Sequence, residues 1–197
     1  MGLLTIKSLQ TEGMRQPISW TIQAHELWLL YGVSGTGKSQ LLKAVADLIE
    51  SSGEVCLSSR AKSEFPAPVW RRQVMYFSAE TAWWCETIAD HFMTLPSDEV
   101  LAQVGLERSI LNEHPDLLSS GQKQRLALLR GLSFAPTILL LDEVSANLDP
   151  ESVKMVEALI QEYVASGENA TIWISHDLKQ RERLACPAFC RDIEDLY

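Results

Sequence analysis

The chain has 197 residues, of which 46% are apolar, and a length of this order suits one domain with a sizeable core, expected here over residues 1–197. It contains neither an apolar run of about 20 residues nor a basic leader followed by an apolar stretch, which argues against membrane spans and predicts a cytoplasmic protein. The net charge of −9 argues against a nucleic-acid partner, and no disulfide or C-x-x-C metal pattern is formed by Cys56, Cys85, Cys186 and Cys190.

Short β-like runs alternate with helical ones, which predicts an α/β fold with a mainly parallel sheet and antiparallel strands near the N-terminus. Residues 18–23 alternate as a strand. Residues 27–31 form an apolar run typical of a buried strand, and residues 40–49 show the spacing of an amphipathic helix. Further strands are expected at 54–57, 73–77, 137–141 and 170–174.

A glycine-rich motif lies between the strand at 27–31 and the following helix. Gly32-Val33-Ser34-Gly35-Thr36-Gly37-Lys38-Ser39 matches the phosphate-loop pattern G-x-x-x-x-G-K-S/T at every defined position. Its glycines let the backbone wrap around phosphates, and the amides at the helix start, including that of Gln40, face the anion. Lys38 is expected to reach the β- and γ-phosphates and Ser39 to bind Mg²⁺. The motif predicts a P-loop NTPase core; the alternative is a turn that only caps a helix.

From Glu86 onward the predicted helices are short and interrupted by prolines and Gly105, with no convincing strand before residue 120. We expect residues 86–133 to form a small helical subdomain within the same domain. Near its end, Leu118-Ser119-Ser120-Gly121-Gln122 precedes a helical run. A serine hydroxyl, exposed amides and a helix start together favour an anion site, although a serine-rich helix cap is the alternative.

The run Ile138-Leu139-Leu140-Leu141-Asp142-Glu143 predicts a buried strand that ends in two carboxylates. Asp142 can hold Mg²⁺ through water, and Glu143 can orient or deprotonate an attacking water. The alternative is a strand followed by a solvated turn. Asp149 and Pro150 then predict a helix start. That helix would bury one face, made of Val153, Val156, Ile160 and Val164.

The order of these motifs resembles the ATP-binding-cassette (ABC) ATPases over nearly the whole chain, to about residue 184. Leu118–Gln122 is similar to the L-S-G-G-Q signature of that family, with Ser120 replacing the first glycine. Residues 145–149 occupy the place of the D-loop, and residues 174–177 that of the switch-histidine segment. The resemblance implies that His176 contacts the γ-phosphate. It also implies that one subunit's signature, Ser119, Ser120, Gly121 and Gln122, closes over ATP bound by a second copy.

Two positions depart from the family pattern. Ala79 stands where a glutamine is expected near Mg²⁺, and the neighbouring Glu80 could either reach the metal or remain solvated. No tyrosine occurs at residues 13–15, where the family usually stacks adenine. Both departures concern the nucleotide site.

The resemblance implies Mg²⁺-dependent ATP hydrolysis that drives a separately encoded membrane permease, with the chain at the inner face of the cell membrane. The short length and residues 70–74 and 140–143 look most like the ATPase of bacterial iron exporters. Trp83 and Trp84 lie where the family receives a permease helix, although one or both could instead be core residues. The alternative functions are a soluble ABC-type switch and a P-loop small-molecule kinase.

Overall fold

The structure is a computed structural model that describes residues 2–184 and 189–197. A five-stranded sheet, parallel throughout, has the strand order β6–β7–β8–β3–β9. Its strands are β3 (Leu27–Tyr31), β6 (Val74–Ser78), β7 (Ile138–Asp142), β8 (Ala170–Ile174) and β9 (Cys190–Asp192). Every residue of β7 and β8 is buried, as expected for central strands covered on both faces. The predicted α/β fold with a mainly parallel sheet is confirmed.

A second sheet of four antiparallel strands has the order β2–β1–β4–β5. Its strands are β1 (Leu4–Gln10), β2 (Ile18–Ile22), β4 (Ser52–Leu57) and β5 (Arg60–Ala61). The inward side chains of these strands join one apolar core with the first helix and one face of the parallel sheet. The predicted antiparallel strands near the N-terminus are therefore confirmed.

In the part of the chain that the structure describes, six α-helices connect or cover the sheets. They are α1 (Lys38–Val45), α2 (Ala67–Gln73), α3 (Asp98–Gln103), α4 (Ser120–Leu132), α5 (Pro150–Ser166) and α6 (Leu178–Leu184). Asp149 caps α5 by accepting hydrogen bonds from the N–H groups of Glu151 and Ser152. Of the predicted inner face of α5, Val156, Ile160 and Val164 pack in one cluster with Phe77 and Trp173 of the sheet and Leu128 of α4, while Val153 is buried outside that cluster. Among the described residues, no helix combines the length and apolar character that crossing a bilayer would take.

Between β6 and β7 the described chain contains helical segments only. Besides α3 and α4 these are the 3-10 turns Ala89–His91, Arg108–Asn112 and Pro115–Leu117. Their apolar side chains form a third cluster, which includes Ile88, Leu101, Leu126 and Leu159. Leu159 belongs to α5, so the helical region packs on a helix of the main sheet.

Two sequence-based boundaries were wrong. Helix α1 ends at Val45 rather than at 49, because Asp47 adopts a φ of +61°, which stops the helix. Strand β4 begins at Ser52, two residues before the expected start at 54. Gly53 has a φ of +89° and lies opposite Ser8, where the register between β1 and β4 shifts. Ser8 and Leu9 of β1 together lie opposite this one residue, so the bulge is in β1 and Gly53 faces it from β4.

Candidate functional site

The phosphate loop spans residues 32–37, between the end of β3 and the start of α1. Gly32, Gly35 and Gly37 have φ values of +135°, +81° and +90°, which L side chains rarely adopt. Val33, Ser34 and Gly35 are exposed, whereas Thr36 and Gly37 are buried. The loop therefore presents its middle to solvent and its C-terminal end to the start of a helix, the arrangement that favours anion binding.

Lys38 is buried and turns back onto the loop. Its Nζ donates hydrogen bonds of 2.9 Å to both the Gly32 and the Val33 carbonyl oxygens. Burial lowers the pKa of Lys38, and the nearby carboxylates of Glu143, Asp192 and Asp142 oppose that shift. The ammonium group lies against the two loop carbonyls, where a bound phosphate could compete for it.

Asp142 ends β7 with both carboxylate oxygens hydrogen-bonded. Oδ1 accepts from Ser39 Oγ at 3.1 Å, and Oδ2 accepts from Tyr76 Oη at 2.7 Å. Burial, followed by the hydrogen bond to Asp142, raises the pKa of Tyr76, so the phenol stays protonated as the donor. A hydroxyl and a carboxylate oxygen side by side are hard ligands that suit Mg²⁺, which commonly keeps several waters. The residues present therefore fit a magnesium ion.

Glu143 and His176 lie together at the same edge of the sheet. His176 Nε2 is 3.1 Å from Glu143 Oε1, and both side chains are partly exposed. The backbone of Glu143 is held at a φ of +53°, and its N–H donates to the Ile174 carbonyl oxygen. A non-glycine residue in this region of backbone space needs a surrounding structure that stabilises it. Here the hydrogen bond to β8 contributes to that stabilisation.

One open cavity of about 350 Å³ joins the phosphate loop helix to the strand ends. It is lined by Ser39, Lys43, Tyr76, Ser78, Ala79, Glu80, Asp142 and Glu143. Glu80 therefore lies in the wall of the cavity that holds the carboxylates, next to the methyl group of Ala79. Among residues 2–184 and 189–197, no side-chain hydrogen bond involves the Glu80 carboxylate.

The residues Ser119, Ser120, Gly121 and Gln122 begin α4 away from this cavity. Ser119 Oγ accepts from the Gln122 N–H at 3.2 Å, and Gln122 Oε1 accepts from the Ser119 N–H at 2.9 Å. This is a capping box, and Ser119 and Ser120 are exposed. Within the described parts of the chain, no hydrogen bond connects these four residues to the phosphate loop.

Four contacts to these motifs had no signal in the local sequence. Tyr76 Oη donates to Asp142, and Gln124 Nε2 donates to the Ser78 carbonyl oxygen. Ser145 Oγ donates to Gln180 Oε1, and Tyr197 Oη donates to the Thr36 carbonyl oxygen. Each joins residues more than 30 positions apart. A sequence pattern read within one element does not reveal such pairs.

Residues 13–15, where the resemblance places adenine, are partly occupied by contacts within the chain. Met14 is buried, and the exposed Arg15 forms an ion pair with Glu194 at 2.7 Å. Cys186, whose role the sequence left open, lies outside the described residues.

Comparisons with known proteins give one consistent result. A family model described as "ABC transporter" matches residues 15–146. The "Probable iron export ATP-binding protein FetA" of Escherichia coli K12 is 34% identical over 172 residues, covering 81% of this chain and 76% of that protein. The "Putative ABC transporter ATP-binding protein YjkB" of Bacillus subtilis 168 is 33% identical, covering 89% of this chain and 74% of that protein.

Relatives named for other substrates also match. The "Methionine import ATP-binding protein MetN 1" of Listeria monocytogenes (strain F2365) is 30% identical, covering 85% of this chain and 54% of that protein. Among solved structures, a "post-hydrolysis state of the ATP-binding cassette MJ0796 bound to ADP and Pi" matches with a TM-score of 0.74 at 20% identity. The match covers 90% of this chain and 89% of that chain, and it shows the shared fold.

Proposed function

Because the chain belongs to the ABC transporter family as an ATP-hydrolysing ATPase subunit, we propose that it powers a separately encoded membrane permease. Residues 1–197 act as one nucleotide-binding domain, with 86–133 as its helical subdomain. The observation that carries the proposal is the cavity in which the phosphate-loop helix, Asp142 and Glu143 meet. Such a cavity suits a triphosphate whose terminal group lies beside a pair of carboxylates.

Each residue has a separate role in the proposed hydrolysis. The amides of residues 32–40 bind the phosphates, and Lys38 leaves the loop carbonyls to neutralise their charge. Ser39 and Asp142 would hold Mg²⁺, which when bound supplies charge neutralisation at the phosphates. Glu143 orients the attacking water and accepts its proton. His176, whose Nε2 lies 3.1 Å from Glu143 Oε1, keeps that carboxylate in place and faces the γ-phosphate.

The signature segment completes the site in a dimer. Ser119, Ser120, Gly121 and Gln122 are exposed or half-exposed at the start of α4 and make no hydrogen bond to the chain's own phosphate loop within the described residues. A second copy of the chain would bring this helix start to the γ-phosphate, where its amides and hydroxyls stabilise negative charge. Two copies would then share two ATP molecules.

The permease partner is supported by an exposed aromatic cluster. Trp84 is 71% exposed. The rings of Trp83 and Trp84 both contact His91 edge-on at 4.9 Å, and Arg130 lies over both indoles. Aromatic residues held in fixed positions at a surface favour protein interfaces. The chain would therefore work at the inner face of the cell membrane through this contact, without a nucleic-acid partner.

The transported substrate is proposed from the relatives. Export of iron is the first candidate, because a relative named for probable iron export matches at 34% identity over most of both chains. Import of methionine or phosphate is the competing candidate, since relatives with those names match at 30% identity. Transport assays with the purified complex in vesicles, loaded in turn with Fe²⁺, methionine and phosphate, would distinguish these candidates.

ATP hydrolysis tests the site itself. Lys38→Ala removes the point charge at the phosphates, and we expect turnover to fall to background while the circular dichroism spectrum stays unchanged. Lys7→Ala, on an exposed strand position paired with Glu54, is the matched control and should keep the parental rate. A Lys38→Ala variant as active as the control would show that the loop is not the active site.

Association with a membrane protein tests the partner. Trp84→Ala should weaken co-purification with the permease encoded beside this chain, because the exposed indole would lose its contact area. Leu48→Ala removes another exposed apolar side chain and should have no effect. Undiminished co-purification and transport for both Trp83→Ala and Trp84→Ala would exclude this surface. ATPase activity that no membrane protein stimulates would instead favour the soluble switch.

A further inference from the structure

Residues 190–197 run along both ends of the phosphate loop. At its start, a Cβ atom placed on Gly32 would meet Asp192 Oδ1 and an Ile193 methyl group, each at 2.9 Å. At its end, Tyr197 Oη donates a 2.6 Å hydrogen bond to the Thr36 carbonyl oxygen. One short segment therefore contacts the first and the last part of the loop.

This segment is firmly attached to the body of the protein. Strand β9 pairs in parallel with β3, the strand that leads into the loop. The following turn buries Ile193 and Leu196 in the core below the loop. On its outer side, Glu194 forms the ion pair with Arg15. Tyr197 is thus delivered to the loop by a fixed backbone.

The loop carbonyls on this side already have partners. Lys38 Nζ binds the Gly32 and Val33 carbonyl oxygens, the Thr36 hydroxyl also donates to Val33, and Tyr197 binds Thr36. Among the described residues, by contrast, no hydrogen bond to a protein acceptor is made by the backbone N–H groups of Val33, Ser34, Gly35 and Gly37, while the Thr36 N–H closes the turn over residues 34–35. A loop whose carbonyls at both ends are hydrogen-bonded and whose remaining amides are free has the polarity of an anion-binding nest.

The Thr36–Gly37 peptide bond connects Tyr197 to that nest. The described chain contains no cis peptide bond, so in this unit the C=O and the N–H point in opposite directions. A carbonyl held by Tyr197 therefore turns the Gly37 N–H away from Tyr197. Gly37 precedes the first residue of α1, whose free N–H groups face the phosphate site in the proposed function.

We propose that Tyr197 is a positioning residue for nucleotide phosphates: its hydroxyl fixes the Thr36–Gly37 peptide so that the Gly37 N–H points at the bound phosphate. This rests on the proposed ATP binding and adds a residue that no phosphate-loop pattern contains. Without the hydroxyl, the peptide is free to rotate and the loop must be ordered by the ligand. Phosphate binding then weakens, although the fold remains.

The test removes one oxygen atom. Tyr197→Phe keeps the ring and its packing, and it deletes the hydrogen bond. We expect the Kd for ATP, and equally the Kd for inorganic tripolyphosphate, to rise about three- to tenfold, the usual range for one such bond. Both would be measured by calorimetry on the full chain, with and without Mg²⁺.

Tyr163→Phe is the matched control. Tyr163 Oη donates a 2.9 Å hydrogen bond to the Pro136 carbonyl oxygen, remote from the loop, so its loss should leave both Kd values unchanged. If Tyr197→Phe is destabilised, thermal unfolding with and without ATP still reports on binding, because the rise in Tm on adding ATP depends on the Kd for ATP. That rise should be smaller for Tyr197→Phe than for Tyr163→Phe.

The outcomes are distinct. Unchanged tripolyphosphate binding by Tyr197→Phe would overturn the inference. Weaker ATP binding with unchanged tripolyphosphate binding would also overturn it, since the tyrosine would then contact the nucleoside. If the unmodified chain binds neither ligand, the proposed function itself fails.

Discussion

Tyr76 has no place in any of the motifs, yet it donates the shorter of the two hydrogen bonds to Asp142. The two bonds hold both oxygens of the carboxylate and so fix its rotation. With Oδ2 held by the phenol, Oδ1 is the oxygen that faces Ser39. A metal that needs oxygen ligands in near-ideal geometry depends on such an orientation.

Tyr76→Phe should therefore weaken metal binding rather than destroy the site. We expect the Mg²⁺ concentration that gives half-maximal ATP hydrolysis to rise by about three- to tenfold, the effect of one lost hydrogen bond. Binding of Mn²⁺ in the presence of ATP, followed by electron paramagnetic resonance, should weaken by the same factor. Tyr163→Phe is again the control, and equal metal dependence in the two variants would contradict the role.

The sequence predicted the residues of the motifs but not the side chains that orient them. Lys38, Ser39 and Asp142 follow from local patterns, because the backbone of a phosphate loop and the end of a buried strand fix their positions. Tyr76 reaches Asp142 across 66 positions, and Tyr197 reaches Thr36 across 161. Only the assembled sheet brings these pairs together, so no spacing rule could have found them.

Helix α4 approaches strand β6 closely at Gly131. A Cβ atom on Gly131 would overlap the ring of Phe77, a buried residue of β6. Nearby, Gln124 of the same helix donates to the carbonyl oxygen of Ser78 at the end of β6. The end of α4 is therefore linked to β6 by packing at Gly131, and the first half of the helix is linked to it by the hydrogen bond from Gln124.

Gly131→Ala tests this packing. Alanine favours a helix over glycine by about 0.5–1 kcal/mol, but overpacking a core commonly costs about 1–3 kcal/mol, so we expect a net loss of stability. Urea unfolding would measure it. Gly167→Ala, at the extended residue that ends α5, places a Cβ atom 2.7 Å from Asn169 Nδ2, whose displacement costs one hydrogen bond to the Tyr163 carbonyl oxygen, so we expect a smaller loss than for Gly131→Ala. A stabilised Gly131→Ala variant would contradict the close approach.

The strands were more predictable than the connections between them. Strands β3, β7 and β8 are short apolar runs that parallel sheets bury on both faces, and their bounds agree with the sequence within one residue. Helix α2 was missed, since the prolines at 66 and 68 indicate an extended stretch although proline is favourable in a first helical turn. Strand β9 has three residues, too few to show a period.

At the scale of the whole molecule, the proposed hydrolytic site is divided between two copies of the chain. Glu143→Gln preserves the shape of the side chain and its neighbour His176 but removes the base. We expect turnover to fall by about 10²–10⁴-fold and ATP to remain bound. Light scattering at saturating Mg²⁺ and ATP should then show the mass of a dimer.

Glu168→Gln, in the exposed turn after α5, is the control and should hydrolyse ATP normally. Parental turnover by Glu143→Gln would remove that residue from catalysis. A Glu143→Gln variant that stays monomeric with ATP, alone and with the permease, would argue against the shared site.

The capping box at Ser119 allows the stability of α4 and the charge at its N-terminus to be changed separately, although these two properties usually change together. The hydroxyl oxygen of Ser119 is occupied as an acceptor by the Gln122 N–H, so its own hydrogen is left to point outward as a donor. Alanine at this position removes both the cap and the donor, whereas aspartate keeps the cap and replaces the donor by negative charge. The stability of α4 and the proposed attraction of its N-terminus for an anion can therefore be changed independently, through the choice of the side chain at position 119.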